Sequence, residues 1–303
     1  MKIFVAGASG AIGKPLISCL IAEGHEVWGM TRSKERAHSI AEMGATPIIA
    51  DALDAASIFE AIKKSQPEVI VEMLTSLPKE YTPQAMREAS EQDRKIRIEG
   101  GAHLQKAAQA MGTKRYIIQS SAFWYAPGAG FADENTPFAF AASPGIVAGT
   151  KTYAQLEQRL FQIQDLEGVA LRFGFFYGPG TWYAPDASMA NRVKSREYPI
   201  VGSGGGTWNF IHIEDAAVAI ALAIKGPTGI YNIVNDTPLP LSTWLPAYAR
   251  WLGAPAPLKR TMEEELFLNG PDAVYYATQL RGASNIKAKR GLNFTPRPLE
   301  WLI

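Results

Sequence analysis

Residues 3–13 read Ile3-Phe-Val-Ala-Gly7-Ala-Ser-Gly10-Ala-Ile-Gly13, an apolar run followed by three glycines at intervals of three residues. Residues 12–23 then carry apolar side chains at helical spacing, so the segment predicts a strand, a tight turn and a helix. In this context Gly7 permits the turn, Gly10 lets the backbone approach a ligand, and Gly13 lets the helix pack closely on the strand. Because the first N–H groups of a helix bind anions, the loop predicts a phosphate-binding site.

Strand and helix patterns alternate along the first half of the chain. Short apolar runs predict further strands at residues 26–30, 46–50, 69–73, 116–119 and 169–173, and a long amphipathic helix is predicted at residues 82–111. Short strands separated by helices are typical of a parallel sheet with helices on both faces, which binds ligands beyond the carboxyl ends of its strands. We therefore predict an α/β fold of the Rossmann type, a doubly wound parallel sheet, in residues 1–173.

The second part of the chain is less regular. Glycine and proline are frequent after residue 173, and helical patterns return only at residues 214–225 and 242–252. This composition predicts a smaller substrate-binding region in residues 174–303 that packs on the sheet domain, with some crossover of the chain between the two.

Composition narrows the class of partner. The chain has 303 residues, of which 47% are apolar, and its formal net charge is +1. Without a basic block, neither nucleic acid nor an anionic membrane surface is expected as a partner, and no apolar run approaches the ~20 residues that span a bilayer. Cys19 is the single cysteine, and no Cys/His cluster has the spacing of metal ligands. We expect a cytoplasmic, disulfide-free, metal-free protein that acts on a small molecule.

The glycine loop and the ends of the next strands together predict a nicotinamide dinucleotide. Arg32 and Ser33 follow the second strand, where a carboxylate would bind the ribose hydroxyl of NAD and a guanidinium suits the 2′-phosphate of NADP. We therefore predict NADP(H) in preference to NAD(H). Asp51 follows the third strand, where it can accept from the adenine amino group. The predicted cofactor-binding residues are Gly7, Ser9, Gly10, Ala11, Ile12, Gly13, Arg32, Ser33, Asp51, Ala52, Leu53, Leu74, Thr75, Ser120 and Phe173.

Several segments, in order along the chain, resemble motifs of the extended and atypical short-chain dehydrogenase/reductases, the group that includes the NAD-dependent epimerase/dehydratases. The resemblance covers nearly the whole chain. The matching segments are Gly7–Gly13, Asp51–Leu53, Ser120-Ser-Ala-Phe-Trp-Tyr125, Leu171-Arg-Phe-Gly-Phe-Phe-Tyr177-Gly-Pro-Gly180, Trp208-Asn-Phe-Ile-His-Ile-Glu-Asp215, Gly229–Ile233 and Ala283–Lys289.

The resemblance implies hydride transfer at the nicotinamide. In this family a tyrosine exchanges the proton, a lysine four residues later holds the ribose and lowers the tyrosine pKa, and a serine or threonine bonds the substrate oxygen. Ser121 takes the serine position and Lys151 is the candidate lysine, but Val147 stands four residues before it. We predict Tyr125 as the proton donor, with Lys151 second; Tyr177, Tyr183 and an ordered water remain alternatives.

The expected pocket mouth is rich in aromatic side chains, which suit a small, partly apolar substrate. The predicted substrate-binding residues are Phe123, Trp124, Tyr177, Trp182 and Trp208. A sugar nucleotide would instead need cations for its diphosphate, which Arg192, Lys194 and Arg196 offer.

Three functions stay open on this basis. The first is an NADP(H)-dependent reductase of a carbonyl group. The second is an epimerase or dehydratase acting on a sugar nucleotide, and the third is an NADP(H)-binding redox sensor without turnover. The resemblance also leaves open a homodimer through the helices near residues 82–111 and 146–166, although dense charge on the first of these weakens an apolar seam there.

Overall fold

The computed structural model describes residues 1–302, which contain thirteen strands. The strands are β1 (Lys2–Ala6), β2 (Glu26–Thr31), β3 (Thr46–Ile49), β4 (Val69–Glu72), β5 (Arg115–Ser121), β6 (Glu167–Phe173), β7 (Phe175–Tyr177), β8 (Ile200–Val201), β9 (Thr207–Trp208), β10 (Phe210–His212), β11 (Gly229–Ile233), β12 (Leu239–Pro240) and β13 (Lys259–Arg260).

Seven of these strands form one parallel sheet in the order β11-β6-β5-β4-β1-β2-β3. The chain builds outward from β1 to β3, and then crosses back over β1 to begin the other half at β4. The point of reversal therefore lies between β1 and β4, where a ligand can enter between the loops that follow the two strands. The predicted doubly wound sheet is confirmed, and β11 is a strand that the sequence patterns did not predict.

Residues 1–302 contain twelve α-helices, some of which cover the two faces of this sheet while the others lie outside it. They are α1 (Gly13–Ala22), α2 (Lys34–Glu42), α3 (Ala55–Ser65), α4 (Pro83–Lys95), α5 (Gly101–Ala110), α6 (Pro144–Gln162), α7 (Ser188–Lys194), α8 (Ile213–Lys225), α9 (Leu241–Trp251), α10 (Met262–Asn269), α11 (Pro271–Thr278) and α12 (Ile286–Leu292). A five-residue π-helical turn, Ile96–Gly100, joins α4 to α5, so the single helix expected at residues 82–111 is interrupted.

Two buried apolar clusters lie on opposite faces of the sheet. One contains Leu16 and Leu20 of α1 and Ile220 of α8, together with side chains from β1, β4 and β6. The other contains Ile58 of α3 and Leu104 of α5, together with side chains from β5 and α6. This division leaves the carboxyl ends of the strands uncovered by the sheet helices, and the later part of the chain packs there.

The C-terminal part contributes to both regions of the molecule. Strand β11 pairs with β6, and helices α8 and α12 pack on the main sheet, so the sheet does not end at residue 173. The remaining elements, including α7 and α9, surround a third cluster rich in aromatic side chains. No helix within residues 1–302 is long and apolar enough to cross a membrane. The same residues contain no group of three or more His, Cys, Asp or Glu side chains that could hold a metal ion.

Candidate functional site

The glycine loop is held by close backbone contacts between β1 and α1. Gly7 has a φ of +95°, and a Cβ there would lie 2.7 Å from the carbonyl oxygen of Met73. A Cβ on Gly13 would lie 2.4 Å from the carbonyl oxygens of both Gly7 and Ala8, so the helix can approach the strand only with glycine at this position. The backbone therefore leaves no room for a Cβ at Gly7 or Gly13, which agrees with the roles predicted for these glycines.

The start of α1 fits the pyrophosphate of a dinucleotide. Gly10 is exposed, and the backbone N–H groups of Ala11 and Ile12 have no acceptor within residues 1–302. Backbone N–H groups at a helix start favour an anion. The loop after β7 lies beside them, because a Cβ on Gly180 would be 4.0 Å from that of Ala11. Ser9 lies in the same turn and is half-buried.

The ends of β2 and β3 present polar groups on the other side of β1. Arg32 is exposed, and its guanidinium makes no ion pair within residues 1–302. Ser33 caps α2 by accepting from the Arg36 N–H at 3.3 Å and also bonds the Glu35 carboxylate. Arg36 is a second exposed cation beside this turn, which sequence reasoning missed. The Asp51 carboxylate accepts from the Leu53 N–H at 3.0 Å, with Ala52 buried between them.

Two predicted cofactor residues point into the protein instead. The Ser120 hydroxyl donates to the Glu157 carboxylate at 2.6 Å, and only 2% of the residue is exposed. Phe173, at the end of β6, is buried in the sheet core and packs on Phe176. The side chains of both residues therefore face the core, which argues against side-chain contacts with a cofactor, and their assignment as cofactor-binding residues stays a prediction. Leu74 is buried after β4, while Thr75 beside it is half-buried.

Ser121 and Tyr125 follow β5, but they face different surroundings. The Ser121 hydroxyl accepts from the Phe123 N–H at 3.2 Å and has no acceptor for its own proton within residues 1–302, although only 1% of the residue is exposed. The Tyr125 hydroxyl donates to Asn232 and accepts from Arg172 at 2.9 Å. The residue is fully buried, and burial raises the pKa of Tyr125 to about 12. Burial and the two committed bonds argue against the prediction that Tyr125 exchanges a proton with a substrate.

Helix α6 presents a different face from the one that sequence spacing indicates. Lys151 is exposed and makes no ion pair or side-chain hydrogen bond within residues 1–302. Two residues along a helix are about 200° apart, and Tyr153 is the one that turns inward. The Trp124 indole covers Gly149, because a Cβ there would lie 2.3 Å from it, and the same indole lies 5.7 Å from the Tyr153 ring. Gly149 and Tyr153, rather than Val147 and Lys151, therefore face the segment after β5.

Two charged residues near Tyr153 also escaped sequence reasoning. Arg97, in the π-helical turn, donates to Asp93 at 2.7 Å, and its guanidinium carbon lies 5.2 Å from the centre of the Tyr153 ring. Asp93 in turn accepts from the Ser76 N–H at 2.7 Å. The only signal in the sequence was the four-residue interval between Asp93 and Arg97, which is equally typical of an ordinary helix surface.

The acid strength of the phenols bears on the chemistry. Burial raises the pKa of all eleven tyrosines of the chain. Arg97 offsets part of this effect at Tyr153, while Asp93 adds to it. A phenol serves as an acid near pH 7 only when a nearby cation lowers its pKa well below the usual value of about 10.

The predicted substrate-binding aromatics divide into two groups. Tyr177 and Trp208 are buried; Tyr177 packs against Trp301 and the Trp208 indole donates to the Tyr276 carbonyl, so both support the core and not a pocket wall. Trp124 and Trp182 are half-buried, and the Trp124 indole donates to the Tyr276 hydroxyl at 3.1 Å. Phe123 is half-buried too and stacks on Phe175 at 4.0 Å. Trp182 stacks on Tyr81 at 4.6 Å.

The basic residues proposed for a diphosphate are engaged with the protein. Arg192 donates to the Tyr81 carbonyl at 2.9 Å and lies over the Tyr198 ring. Lys194 donates to the Pro185 carbonyl at 2.8 Å, and Arg196 donates to the Ala256 carbonyl at 3.2 Å. These contacts hold α7 and its neighbouring loops together.

Comparison with known proteins agrees with this architecture. The profile of the "NAD dependent epimerase/dehydratase family" matches residues 3–234. The chain is 39% identical to the 3-diazoavenalumate denitrifying reductase of a Streptomyces species, over 99% of this chain and 98% of that protein. Its fold is similar to that of UDP-glucose 4-epimerase from Thermotoga maritima, with a TM-score of 0.76 and 19% identity over 99% of this chain and 95% of the other.

A second solved structure is similar to the same extent. It is the UDP-glucose 4-epimerase of Thermus thermophilus in complex with NAD, with a TM-score of 0.75 and 20% identity over 99% of this chain and 96% of the other. At these identities the two structures establish the fold alone. The profile match covers most of the sheet, and the Streptomyces reductase covers nearly the entire chain. The protein therefore belongs to the NAD dependent epimerase/dehydratase family, whose members use a nicotinamide cofactor.

Proposed function

We propose that this protein is an NADP(H)-dependent reductase that delivers hydride to an electrophilic group on a small aromatic substrate. NADPH, when bound, supplies the hydride. Support for the phosphorylated cofactor comes from Arg32 and Arg36, which are exposed beside the end of β2 and have no carboxylate partner within residues 1–302. The half-buried aromatic side chains of Trp124, Trp182 and Tyr81, in the segments after β5, β7 and β4, support an aromatic substrate.

The observation that carries this proposal is the inward face of α6, where Gly149 and Tyr153 face the segment after β5. Hydride transfer to a carbonyl leaves an oxyanion that must be protonated. Lys151 lies on the outer face, and burial raises the pKa of Tyr153. An acceptor that needs no proton from a phenol is therefore favoured over one that does.

An arenediazonium ion is an acceptor of this kind. Hydride adds to its terminal nitrogen and forms a neutral aryldiazene, which releases N₂ while its N–H hydrogen passes to the ring carbon. The sum is Ar–N₂⁺ + NADPH → Ar–H + N₂ + NADP⁺, which balances without an external proton. The similarity to the Streptomyces reductase, named for the denitrification of 3-diazoavenalumate, supports this substrate class.

Carbonyl reduction is the second candidate. It is supported by Ser121, whose hydroxyl keeps a proton for a substrate oxygen at the end of β5. The sugar-nucleotide alternative has less support, because Arg192, Lys194 and Arg196 already bond backbone carbonyls. A redox sensor would bind NADPH tightly and turn over none of these substrates.

The test uses three sets of substrates: small hydroxyarenediazonium ions and aromatic aldehydes and ketones, followed by NADPH consumption, and UDP-sugars, followed by analysis of the sugar product because epimerisation and dehydration oxidise no net NADPH. We expect turnover with the diazonium ions and an equimolar yield of the arene. Reactions without protein measure the direct reduction by NADPH. Turnover confined to carbonyl compounds would replace the first candidate with the second, and tight NADPH binding without turnover of any set would favour the sensor.

A further inference from the structure

Asp93, a half-buried carboxylate near the end of β4, makes contacts that belong neither to the glycine loop nor to the aromatic side chains described above. Asp93 accepts from the Ser76 N–H and from Arg97, each at 2.7 Å, and so ties the segment after β4 to helix α4. Arg97 lies in the π-helical turn, a distortion that is often found at functional sites, and its guanidinium lies beside the Tyr153 ring. We refer to Asp93, Arg97 and Tyr153 as the β4 triad.

The position of the β4 triad follows from the strand order. Arg32 and Asp51 follow β2 and β3, on one side of β1, and the triad lies between the segments after β4 and β5, on the other side. A dinucleotide whose pyrophosphate lies at the β1 turn, with adenosine toward β2, must extend its second ribose toward β4 and β5. Strands are about 4.8 Å apart, so this ribose needs to cross only one or two strands.

Two side chains of the β4 triad, Tyr153 and Arg97, carry donors that have no acceptor within residues 1–302. The Tyr153 hydroxyl makes no hydrogen bond within residues 1–302, although only 8% of the residue is exposed. Arg97 is 4% exposed, and only its Nε is bonded there, which leaves both terminal nitrogens without an acceptor. These atoms are not among the completely buried side-chain atoms without a partner, so each keeps some accessible surface through which a ligand or water can meet it. A hydroxyl and a guanidinium side by side match the two vicinal hydroxyls of a ribose.

We propose that Tyr153 and Arg97 bind the ribose that carries the nicotinamide, with Asp93 as the positioning residue that orients Arg97. This inference rests on the cofactor binding of the proposed function. It also assigns Tyr153 a hydrogen-bonding role and not that of a proton donor, and it gives the cationic part of the site to Arg97 from α4 instead of to a lysine of α6.

The test compares ligands that differ only at the far ribose. ADP lacks this ribose, ADP-ribose contains it, and NADH adds the nicotinamide; the 2′-phosphorylated counterparts form a parallel series that ends in NADPH. Calorimetric titration of Tyr153→Phe is expected to show about threefold to tenfold weaker binding of ADP-ribose and NADH, the effect of one lost hydrogen bond, with ADP unchanged. Arg97→Lys is expected to follow the same ligand pattern.

Tyr231→Phe is the matched control, because its hydroxyl donates to the Pro227 carbonyl away from this edge of the sheet. It should leave all ligands unchanged. Equal weakening of ADP and ADP-ribose in Tyr153→Phe would show a merely structural role and overturn the inference, as would unchanged binding of both. If the unmodified protein bound none of these ligands, the proposed cofactor binding would itself fail.

Discussion

Arg32 is the residue on which the proposed preference for NADPH rests. Its guanidinium is exposed at the end of β2 without an ion pair within residues 1–302, and Arg36 lies one helical turn away. Charge-assisted bonds from these groups to a 2′-phosphate are stronger than neutral hydrogen bonds, whereas NADH offers only a hydroxyl there.

We therefore expect Arg32→Ala to weaken NADPH binding by about tenfold or more, in line with about 1.5–3 kcal/mol for a bond to a charged group, and to leave NADH binding nearly unchanged. Fluorescence titration with both cofactors measures the ratio directly. A ratio near one in the unmodified protein would contradict the preference before any substitution is made.

Tyr125 offers a second test at this scale, because the structure gives it a structural role. Its hydroxyl joins Asn232 to Arg172 in a buried cluster. Tyr125→Phe should lower the free energy of unfolding by about 1–3 kcal/mol, since both partners lose a bond, while turnover per folded molecule stays the same. Urea unfolding and initial rates measure the two effects. A large loss of turnover at unchanged stability would restore Tyr125 as a proton donor.

These residues also show where sequence reasoning stops. The glycine loop could be predicted, because the contacts that require Gly13 are made with the carbonyl oxygens of Gly7 and Ala8 in the same turn, although Gly7 also approaches the distant Met73. The burial of Tyr125 could not, because its partners Arg172 and Asn232 are 47 and 107 residues away. Lys151 was chosen by its interval from an expected tyrosine, and the helix turned that position toward solvent because α6 packs through Tyr153 and Glu157.

At the scale of the elements, the glycines of the β1–α1 turn have two different roles. Gly13 is needed for the fold of the loop, whereas Gly10 is expected to leave space for the ligand. A Cβ on Gly10 would lie 3.2 Å from the Gly7 carbonyl oxygen, which a small shift relieves, but it would project from an exposed part of the loop. A Cβ on Gly13 would lie 2.4 Å from two carbonyl oxygens.

Gly10→Ala should therefore abolish most cofactor binding at nearly unchanged stability, whereas Gly13→Ala should lower stability as well. Thermal unfolding without ligand, followed by NADPH titration, separates the two effects. Equal stability losses in both variants would mean that the loop conformation, and not the approach of a ligand, requires glycine at position 10.

The pairing of α6 with β6 is a second test among the elements. Glu157 on α6 receives two bonds from Arg172 on β6, at 2.6 and 2.7 Å, and both residues are buried. Glu157→Ala leaves Arg172 as an unpaired buried charge, so we expect a loss of about 3–5 kcal/mol in the free energy of unfolding. Urea unfolding measures it. Glu60→Ala, which removes an exposed pair with Lys63, is the control and should change stability by less than about 1 kcal/mol. Similar losses in both variants would contradict this account of the pair.

Two features of the elements lay outside what the patterns could predict. The π-helical turn at Ile96–Gly100 lies between two helices with no proline at their junction, so the sequence pattern of residues 82–111 does not mark it. Strand β11 lies in the region that appeared irregular, and only its pairing with β6 makes it part of the sheet. By contrast, the first six strands follow from local apolar runs between helix caps and glycines.

At the scale of the whole molecule, function depends on how the C-terminal part meets the edge of the sheet. The half-buried Trp124, after β5, bonds Tyr276 of α11, and the half-buried Trp182, after β7, stacks on Tyr81 from the segment after β4. The predicted cofactor residues follow from the order of the strands, whereas the proposed substrate residues lie on loops that are distant in sequence. The strand ends could therefore be predicted from local patterns, and the contacts among these loops could not.

The most direct test of the central claim is a stoichiometric measurement of NADPH oxidation by the full-length protein with a small hydroxyarenediazonium ion. Arene and NADP⁺ should form in equal amounts, much faster than in the reaction without protein, and Gly10→Ala should return the rate to that background. Aldehydes and ketones should react far more slowly under the same conditions. No acceleration over the background, together with rapid reduction of a carbonyl substrate, would contradict the account.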